Sequence, residues 1–329
     1  MAFEPPKIDD VRRLAERLQQ WLVRTPVMRC RNLEQRLGRA AAITGKLEFL
    51  QRTGTFKPRG ALSVMLGLEP AQLRAGVTAV SAGNHAVATA YAARAMGTTA
   101  KVVMTRKANP ARIEGSRHYG AEVVLADDIH EAFAKVDEIR EREGRFFVHP
   151  FEGEAVLRGT ATVGLEICEQ VRDFDALIIP VGGGGLCAGI ASLVRQMKPG
   201  CEIIGVEPEG ADSIHRSMQS GHPETLAEVR TIADSLGAPF ALPMSFELCR
   251  SNLDRLVLVS DDELRAAMRL LFTDVKIAVE PACAASTAAL AGPLAADLAG
   301  KHVVLVLCGS NTDWPTWERE AWPELARAA

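Results

Sequence analysis

Several short runs of this chain are apolar at consecutive positions, which restricts them to strands that are buried on both faces. They lie at residues 176–181, 203–206 and 303–307. Strands covered by helices on both sides have this pattern, whereas a strand with one solvent face alternates apolar and polar residues. Helical patterns, such as the alanine-rich residues 84–96, separate these runs. The alternation predicts a parallel α/β architecture.

The composition is that of a large globular protein without an excess of either charge. The chain has 329 residues, 47% of them hydrophobic and 24% charged, and a net charge of −3. This length favours two lobes or one large α/β unit. Without a basic excess, nucleic acid and anionic membranes are not expected as partners. No apolar run approaches the roughly 20 residues of a membrane span.

The cysteines indicate a reducing compartment. There are seven, and no two form a CxxC pair. Scattered cysteines favour free thiols over disulfides or a zinc site. Residues 1–6 also lack the basic start and apolar run of a signal peptide. We therefore expect a cytoplasmic protein.

A lysine in a glycine-flanked turn is the first candidate for chemistry. Lys57 follows Phe56 within residues 53–61, and Gly54 and Gly60 flank the pair. A desolvated lysine amine can condense with a carbonyl group and act as a covalent nucleophile. On its own the turn is a weak signal, because most lysines are solvated surface charges.

A glycine run at residues 182–185 follows a predicted strand and opens a predicted helix. Backbone N–H groups in such a loop converge on an anion, and the helix N-terminus adds partial positive charge, so the loop suits a phosphate. The spacing of Gly183, Gly185 and Ala188 also fits a loose dinucleotide fingerprint, with Glu207 as the acidic residue. A plain glycine-rich turn is the third alternative.

Two more segments close predicted strands. Residues 81–85 (Ser-Ala-Gly-Asn-His) offer backbone donors at a helix N-terminus, which suits a carboxylate, although Asn84 alone would also serve as an N-cap. Residues 308–311 (Cys-Gly-Ser-Asn) end the run 303–307. Ligands gather at the carboxyl ends of parallel strands, so both segments are candidate site residues.

Taken together, these four segments resemble the fold-type II pyridoxal-phosphate enzymes of the threonine/serine dehydratase and serine racemase family. Their order and spacing match over essentially the whole chain, and residues 119–123, 149–151 and 206–208 add to the match. The resemblance implies a fold like the tryptophan synthase β subunit, with two open, mostly parallel α/β lobes. Residues 1–46 and 149–329 would form a large cofactor-binding domain, and residues 47–148 a small mobile one. A homodimer is expected.

The resemblance also assigns roles, with pyridoxal 5′-phosphate as the cofactor. Lys57 would hold it as a Schiff base and, once freed, remove the Cα proton. Asn84 would bind the ring hydroxyl, and Cys308 would face the pyridine nitrogen. The other candidate residues would pack on the ring (Phe56), bind the phosphate (Gly182, Gly183, Gly184, Gly185 and Leu186) and bind the substrate carboxylate (Ser81, Ala82, Gly83, Asn84 and His85).

The implied reaction is elimination of the β-hydroxyl of an amino acid such as threonine or serine, which yields a 2-oxo acid and ammonia. Racemases of this family carry a serine where this chain has Ala82, so elimination is favoured over racemisation. Dehydration of 3-hydroxyaspartate, phenylserine or a hydroxyectoine-derived amino acid remains an alternative, as does racemisation. A protein that binds the cofactor without turnover is the non-enzyme alternative.

Two departures from the family pattern concern ligands. Glu207 and Ala211 match the divalent-cation site of the family, but Ser213 stands where the third ligand is an acid. The acid Asp212 is one position early, and this offset matters because oxygen ligands must converge on Mg²⁺ or Ca²⁺ at about 2.0–2.6 Å. Arg158 opens the segment Arg-Gly-Thr-Ala-Thr, where relatives usually read Ala-Gly-Gln-Gly-Thr. It is either a surface residue or a ligand for a second anionic group of the substrate.

Overall fold

The computed structural model describes residues 3–38, 42–81 and 83–326 of the chain. Within these residues, ten strands form two sheets. The strands are β1 (Val27–Arg29), β2 (Ala42–Leu47), β3 (Val77–Val80), β4 (Ala100–Thr105), β5 (Glu122–Ala126), β6 (Phe146–Phe147), β7 (Ala176–Pro180), β8 (Glu202–Pro208), β9 (Arg255–Val259) and β10 (His302–Leu307).

Fifteen α-helices accompany these strands in the described part of the chain. They are α1 (Ile8–Leu18), α2 (Arg31–Leu37), α3 (Pro58–Met65), α4 (Pro70–Ala75), α5 (Asn84–Ala95), α6 (Pro110–His118), α7 (Ile129–Glu143), α8 (Glu154–Gln170), α9 (Gly185–Met197), α10 (Ser213–Ser220), α11 (Pro243–Asn252), α12 (Asp261–Leu270), α13 (Pro281–Ala291), α14 (Trp314–Ala321) and α15 (Pro323–Ala326).

The larger sheet has the strand order β1-β2-β10-β7-β8-β9. Only the edge pair β1–β2 is antiparallel, and the other neighbours run parallel. β10 lies between β2 and β7, with Val303 opposite both Ile43 and Ala176. Every residue of β7 is buried, as is all of β10 after His302, which confirms the prediction of strands covered on both faces.

The smaller sheet has the order β5-β4-β3-β6, and all of its strands are parallel. Its four strands lie between residues 77 and 147, so both sheets are of the predicted parallel type. The boundaries of the lobes at residues 47 and 148, and the mobility of the smaller lobe, stay predictions. No helix of the described residues is both long enough and apolar enough to span a bilayer.

A buried ionic cluster ties α3 to the larger sheet. We call it the Arg59 cluster, and it comprises Lys46, Glu48, Arg59 and Glu166. The Arg59 guanidinium donates to both carboxylates at 2.8–3.0 Å. Lys46 Nζ donates to Glu166 at 2.5 Å. Because the charges are paired and hydrogen-bonded, their burial is tolerated, and the start of α3 is fixed against β2 and α8.

Candidate active site

A cavity of about 240 Å³ opens where strands of both sheets end. Ser81 follows β3, Gly182 lies two residues beyond β7, and Cys308 follows β10. The structure thus gathers segments from both sheets at their carboxyl ends, where parallel sheets bind ligands. Most of the residues singled out from the sequence line this cavity: Phe56, Lys57, Ser81, Gly83, Asn84, His85, Gly182, Gly183, Gly184, Gly185, Leu186 and Cys308.

Lys57 occupies the turn immediately before α3. Its Nζ donates to the Pro150 carbonyl oxygen at 2.8 Å and lies 5.2 Å from the centroid of the Phe56 ring. Burial lowers the pKa of Lys57 to about 8, because the charged amine is less well solvated there. A hydrogen bond of 3.2 Å from Phe56 N to the Cys308 carbonyl oxygen joins this turn to the end of β10. The amine is therefore fixed in place and easily deprotonated.

The glycine loop connects β7 to α9, and close packing requires its glycines. A Cβ on Gly183 would lie only 2.5 Å from the Phe151 ring, and Gly184 has a φ of +86°. The first N–H groups of α9 have no partner within the helix, as at any helix start. The loop lines the cavity at this helix start, so it can hold a phosphate through backbone donors alone.

Asn84 sits at the start of α5 and is held by three side chains. Its Nδ2 donates to Glu280 at 2.7 Å and to Ser235 at 3.1 Å, while its Oδ1 accepts from Asn311 at 2.9 Å. Glu280 is separated from Asn84 by 196 positions in the sequence. The alternative prediction for Asn84, an N-cap, is wrong, because the N-cap position is Gly83 and no side chain caps it.

Cys308 is buried at the end of β10, beside the buried thiol of Cys283. Hydrogen bonding with Cys283 and burial raise the pKa of Cys308 well above its ordinary value. Cys308 therefore presents a neutral thiol to the cavity.

The sequence offered no local signal for Arg112 and Glu280, which also line the cavity. Arg112 on α6 forms an ion pair with Asp234 and donates to Glu280 at 3.4 Å. Its Nε donates to the Asn311 carbonyl oxygen at 2.9 Å. These bonds connect α6, which lies between β4 and β5 of the smaller sheet, to segments around the larger sheet.

Two histidines border Lys57. His85 donates from Nε2 to the Val148 carbonyl oxygen at 2.8 Å. His149 accepts at Nδ1 from the backbone N–H groups of Phe151 and Glu152. Burial lowers the pKa of His85 to about 3 and that of His149 to about 4, with the Lys57 charge as a second cause. Both rings are neutral at physiological pH.

Three phenylalanines give the cavity an aromatic wall: Phe133 of α7, Phe151, and Phe240. The Phe151 and Phe240 ring centroids lie 6.0 Å apart with the planes inclined by 51°. We call these residues the aromatic wall. Such a surface suits an aromatic or bulky apolar group.

The loop predicted for the substrate carboxylate is described except for one residue. Ser81 Oγ accepts from Gly83 N at 3.0 Å, and both residues line the cavity. Ala82, on which the prediction of elimination over racemisation depends, lies outside the described residues.

The structure does not bring Arg158 to this cavity. It lies on α8 with 42% of its side chain exposed, and Glu154 is its ion-pair partner at 3.9 Å. It borders a separate surface cavity beside residues 4–10. The next residue of α8, Gly159, is buried and packs against the backbone of Arg59. Of the two alternatives, this position favours a surface residue over a substrate ligand.

Glu207 and Ala211 do not form a cation site in the part of the chain that the structure describes. The Glu207 carboxylate accepts from the N–H groups of Ile214 and His215 at 3.0 and 2.8 Å, so it caps α10. Burial raises its pKa well above the ordinary value. No group of three or more metal-ligating side chains occurs among the described residues.

The side chains of the cavity fit pyridoxal phosphate. The glycine loop lines the cavity at the start of α9, where backbone N–H groups can hold a phosphate, and Lys57 supplies an amine for the aldehyde carbon. A neutral Cys308 and the fixed amide of Asn84 are suitable partners for the ring nitrogen and the ring hydroxyl. These residues would hold the cofactor between the two sheets.

Comparison with known proteins agrees with this fit. A family model described as pyridoxal-phosphate dependent enzyme matches residues 18–309. The phenylserine dehydratase of Ralstonia pickettii is 54% identical over 95% of this chain and 96% of its own length. The catabolic L-threonine dehydratase of Escherichia coli K12 is 37% identical over 94% of each chain. Maize serine racemase superposes with a TM-score of 0.89 at 30% identity, over 99% of this chain and all of the other.

Proposed function

This chain belongs to the pyridoxal-phosphate-dependent enzyme family and is a dehydratase of β-hydroxy amino acids, and we propose that its substrate carries an aryl group on Cβ, as 3-phenylserine does. Dehydration of phenylserine would release ammonia and phenylpyruvate.

The aromatic wall is the observation that carries this proposal. Phe133, Phe151 and Phe240 reach the cavity from separate segments, and their rings offer edge and face contacts for a phenyl group. A methyl group, as in threonine, would leave most of this surface without a partner. The 54% identity to a phenylserine dehydratase supports the same substrate class.

A substrate with a second carboxylate is disfavoured by the charges of the cavity. Lys57 and Arg112 are the cationic side chains among the described lining residues. Arg112 is already paired with Asp234 and Glu280, so it has little capacity for another anion. Arg158, the candidate ligand for such a group, does not line this cavity. Hydroxyaspartate, with its second carboxylate, is therefore a poorer fit to this cavity than phenylserine.

We assign the proton transfer at Cα to Lys57. When bound, pyridoxal phosphate withdraws electrons from Cα and weakens the Cα–H bond. The Lys57 amine is then suited to take that proton, because a base works best when its pKa lies near the working pH, and burial brings the pKa of Lys57 to about 8. The bond from Cβ to the hydroxyl oxygen breaks, and the Cα proton and the hydroxide together account for the water lost.

Cys308 would favour elimination over transamination. A neutral thiol does not stabilise an added proton on the pyridine nitrogen as a carboxylate would. Electron withdrawal from Cα is then moderate, which suits prompt loss of a leaving group. The Ser81–His85 loop would hold the substrate carboxylate through its backbone donors.

We also propose that the protein is a cytoplasmic homodimer. All seven cysteines are free and buried, which is typical of proteins from reducing compartments. The dimer is the expectation for this family, and light scattering coupled to size exclusion would measure it. A mass near 35.5 kDa instead of twice that value would exclude a stable dimer.

Substrate preference tests the proposed function. We expect kcat/KM to be higher for phenylserine than for threonine. Replacement of Phe240 by alanine should lower kcat/KM for phenylserine by about 10-fold, while the value for threonine changes by no more than about 2-fold. Phe272→Ala, which removes an aromatic ring that does not line the cavity, is the matched control. An equal loss for both substrates would contradict an aryl-binding role.

A further inference from the structure

We infer that His149 is a further catalytic residue, whose Nε2–H donates a hydrogen bond to the β-oxygen of the substrate as the Cβ–O bond breaks. The inference rests on the proposed dehydration, and it assigns a donor to the leaving group. This role complements that of Lys57, the base at Cα.

The backbone fixes which nitrogen of His149 carries the proton. Nδ1 accepts from Phe151 N at 3.2 Å and from Glu152 N at 2.9 Å, so it must hold a lone pair. In a neutral imidazole the proton then resides on Nε2. No group of residues 3–38, 42–81 and 83–326 is hydrogen-bonded to Nε2. This N–H is therefore the polar group of the ring that remains for a bound molecule.

Neighbouring rings hold the imidazole in one orientation. Phe147 and Phe151 contact it edge to face, with centroid distances of 5.8 and 4.7 Å and interplanar angles of 87° and 85°. Together with the two bonds at Nδ1, these contacts leave the ring little freedom. A donor held in place before the reaction stabilises developing charge without reorganisation.

Three consecutive residues, His149, Pro150 and Phe151, line the cavity and would lie beside neighbouring parts of a bound substrate. The Pro150 carbonyl accepts from Lys57 Nζ, which serves Cα, and Phe151 belongs to the aromatic wall, which would hold the group on Cβ. His149 lines the same cavity, and its ring touches that of Phe151. The β-oxygen is bonded to Cβ, the carbon between Cα and the aryl group. A side chain placed between Lys57 and Phe151, as His149 is, would therefore be nearest to this oxygen.

The chemistry needs a donor at this atom. Elimination breaks Cα–H and Cβ–O, and negative charge grows on the departing oxygen. A neutral imidazole N–H can stabilise that charge by hydrogen bonding and keeps its own proton throughout. A chloride leaving group is a much weaker base and gains little from the same bond.

A matched pair of substrates isolates this bond. L-Serine and β-chloro-L-alanine differ only in the leaving group, and both yield pyruvate and ammonia. In His149→Asn, the amide oxygen retains an acceptor for Phe151 N and Glu152 N, while the N–H at the Nε2 position is lost. We expect kcat/KM for serine to fall roughly 100-fold and that for chloroalanine by no more than about 3-fold. His149→Gln, which returns an N–H near the position of Nε2, should recover part of the loss on serine.

Cofactor affinity, measured by visible absorbance during titration, should be unchanged in His149→Asn. Equal losses on serine and chloroalanine, or weakened cofactor binding, would overturn the inference, because His149 would then serve the cofactor or the fold. Phenylserine measured in parallel keeps the two proposals apart. If wild type prefers threonine to phenylserine, the aryl substrate is wrong, while the serine-to-chloroalanine ratio still reports on His149.

Discussion

Lys46 and Lys57 are two interior lysines whose partners differ. Lys46 Nζ donates to the Glu166 carboxylate, the Thr25 carbonyl oxygen and the Gln170 side chain, at 2.5–2.9 Å. Lys57 Nζ has the Pro150 carbonyl oxygen as its acceptor and faces the cavity. Desolvation lowers the pKa of both lysines, and nearby acidic groups oppose the shift in both cases, but only Lys46 is hydrogen-bonded to a carboxylate. Both amines are buried, so burial alone does not make a lysine reactive. Lys46 is held as a cation by a hydrogen-bonded carboxylate, whereas Lys57 has only a backbone carbonyl as its acceptor and is available to react.

The largest expected effect is on catalysis at Lys57. Lys57→Ala should lower kcat for amino-acid dehydration by about 10⁴-fold or more, because both the covalent link and the base are lost. The free energy of unfolding of the cofactor-free protein should change by less than about 1 kcal/mol, since a single hydrogen bond is removed. Ammonia release and urea unfolding measure the two quantities. Activity within about tenfold of wild type would refute the role of Lys57.

The second effect is on stability at Lys46. Lys46→Met removes one partner of a buried pair and leaves Glu166 with less compensation, so the free energy of unfolding should fall by about 3–5 kcal/mol. The exposed pair Arg142–Glu138 offers a control, and Glu138→Gln should cost less than about 0.5 kcal/mol. Similar losses in both variants would mean that the Arg59 cluster is no stronger than a surface pair.

A third test would give Lys57 a carboxylate of the kind that Lys46 has. In the cofactor-free protein, only the neutral amine attacks the aldehyde, so the rate of cofactor attachment should rise about tenfold per pH unit and level off above a midpoint near the Lys57 pKa of about 8. Cys308→Asp should move this midpoint upward by about 1 pH unit or more, because a nearby anion favours the charged amine. Stopped-flow absorbance follows the attachment.

Cys308→Asn is the neutral control for this shift, and its midpoint should stay within a few tenths of a pH unit of wild type. A midpoint that moves equally in the aspartate and asparagine variants would show that packing, and not charge, sets the reactivity of Lys57.

Local patterns in the sequence predicted the main strands and the glycine loop. Val303 to Leu307 is apolar throughout, and a strand buried on both faces follows from that pattern alone. The three-residue strand β1 and the partly exposed β9 carry no comparable pattern.

The parts of the site that the sequence did not predict come from long-range contacts. Glu280 meets Asn84 across 196 positions, and Arg112 meets Asp234 across 122. Neither pair belongs to a local motif, so only the packed fold brings them together. Phe133 lies in a stretch with the charge pattern of a solvated helix, although it lines the cavity. For Arg158 the sequence left a surface position and a substrate contact open, because its position near the motif does not determine which side of α8 it occupies.

The most direct test of the account is to identify the lysine that carries the cofactor. Reduction of the holoenzyme with borohydride would make the link permanent, and mass spectrometry of its peptides would locate the phosphopyridoxyl group. We predict the added mass on Lys57 alone. Its presence on Lys46 or on any other lysine, or its absence from the protein, would contradict the assignment of the active site.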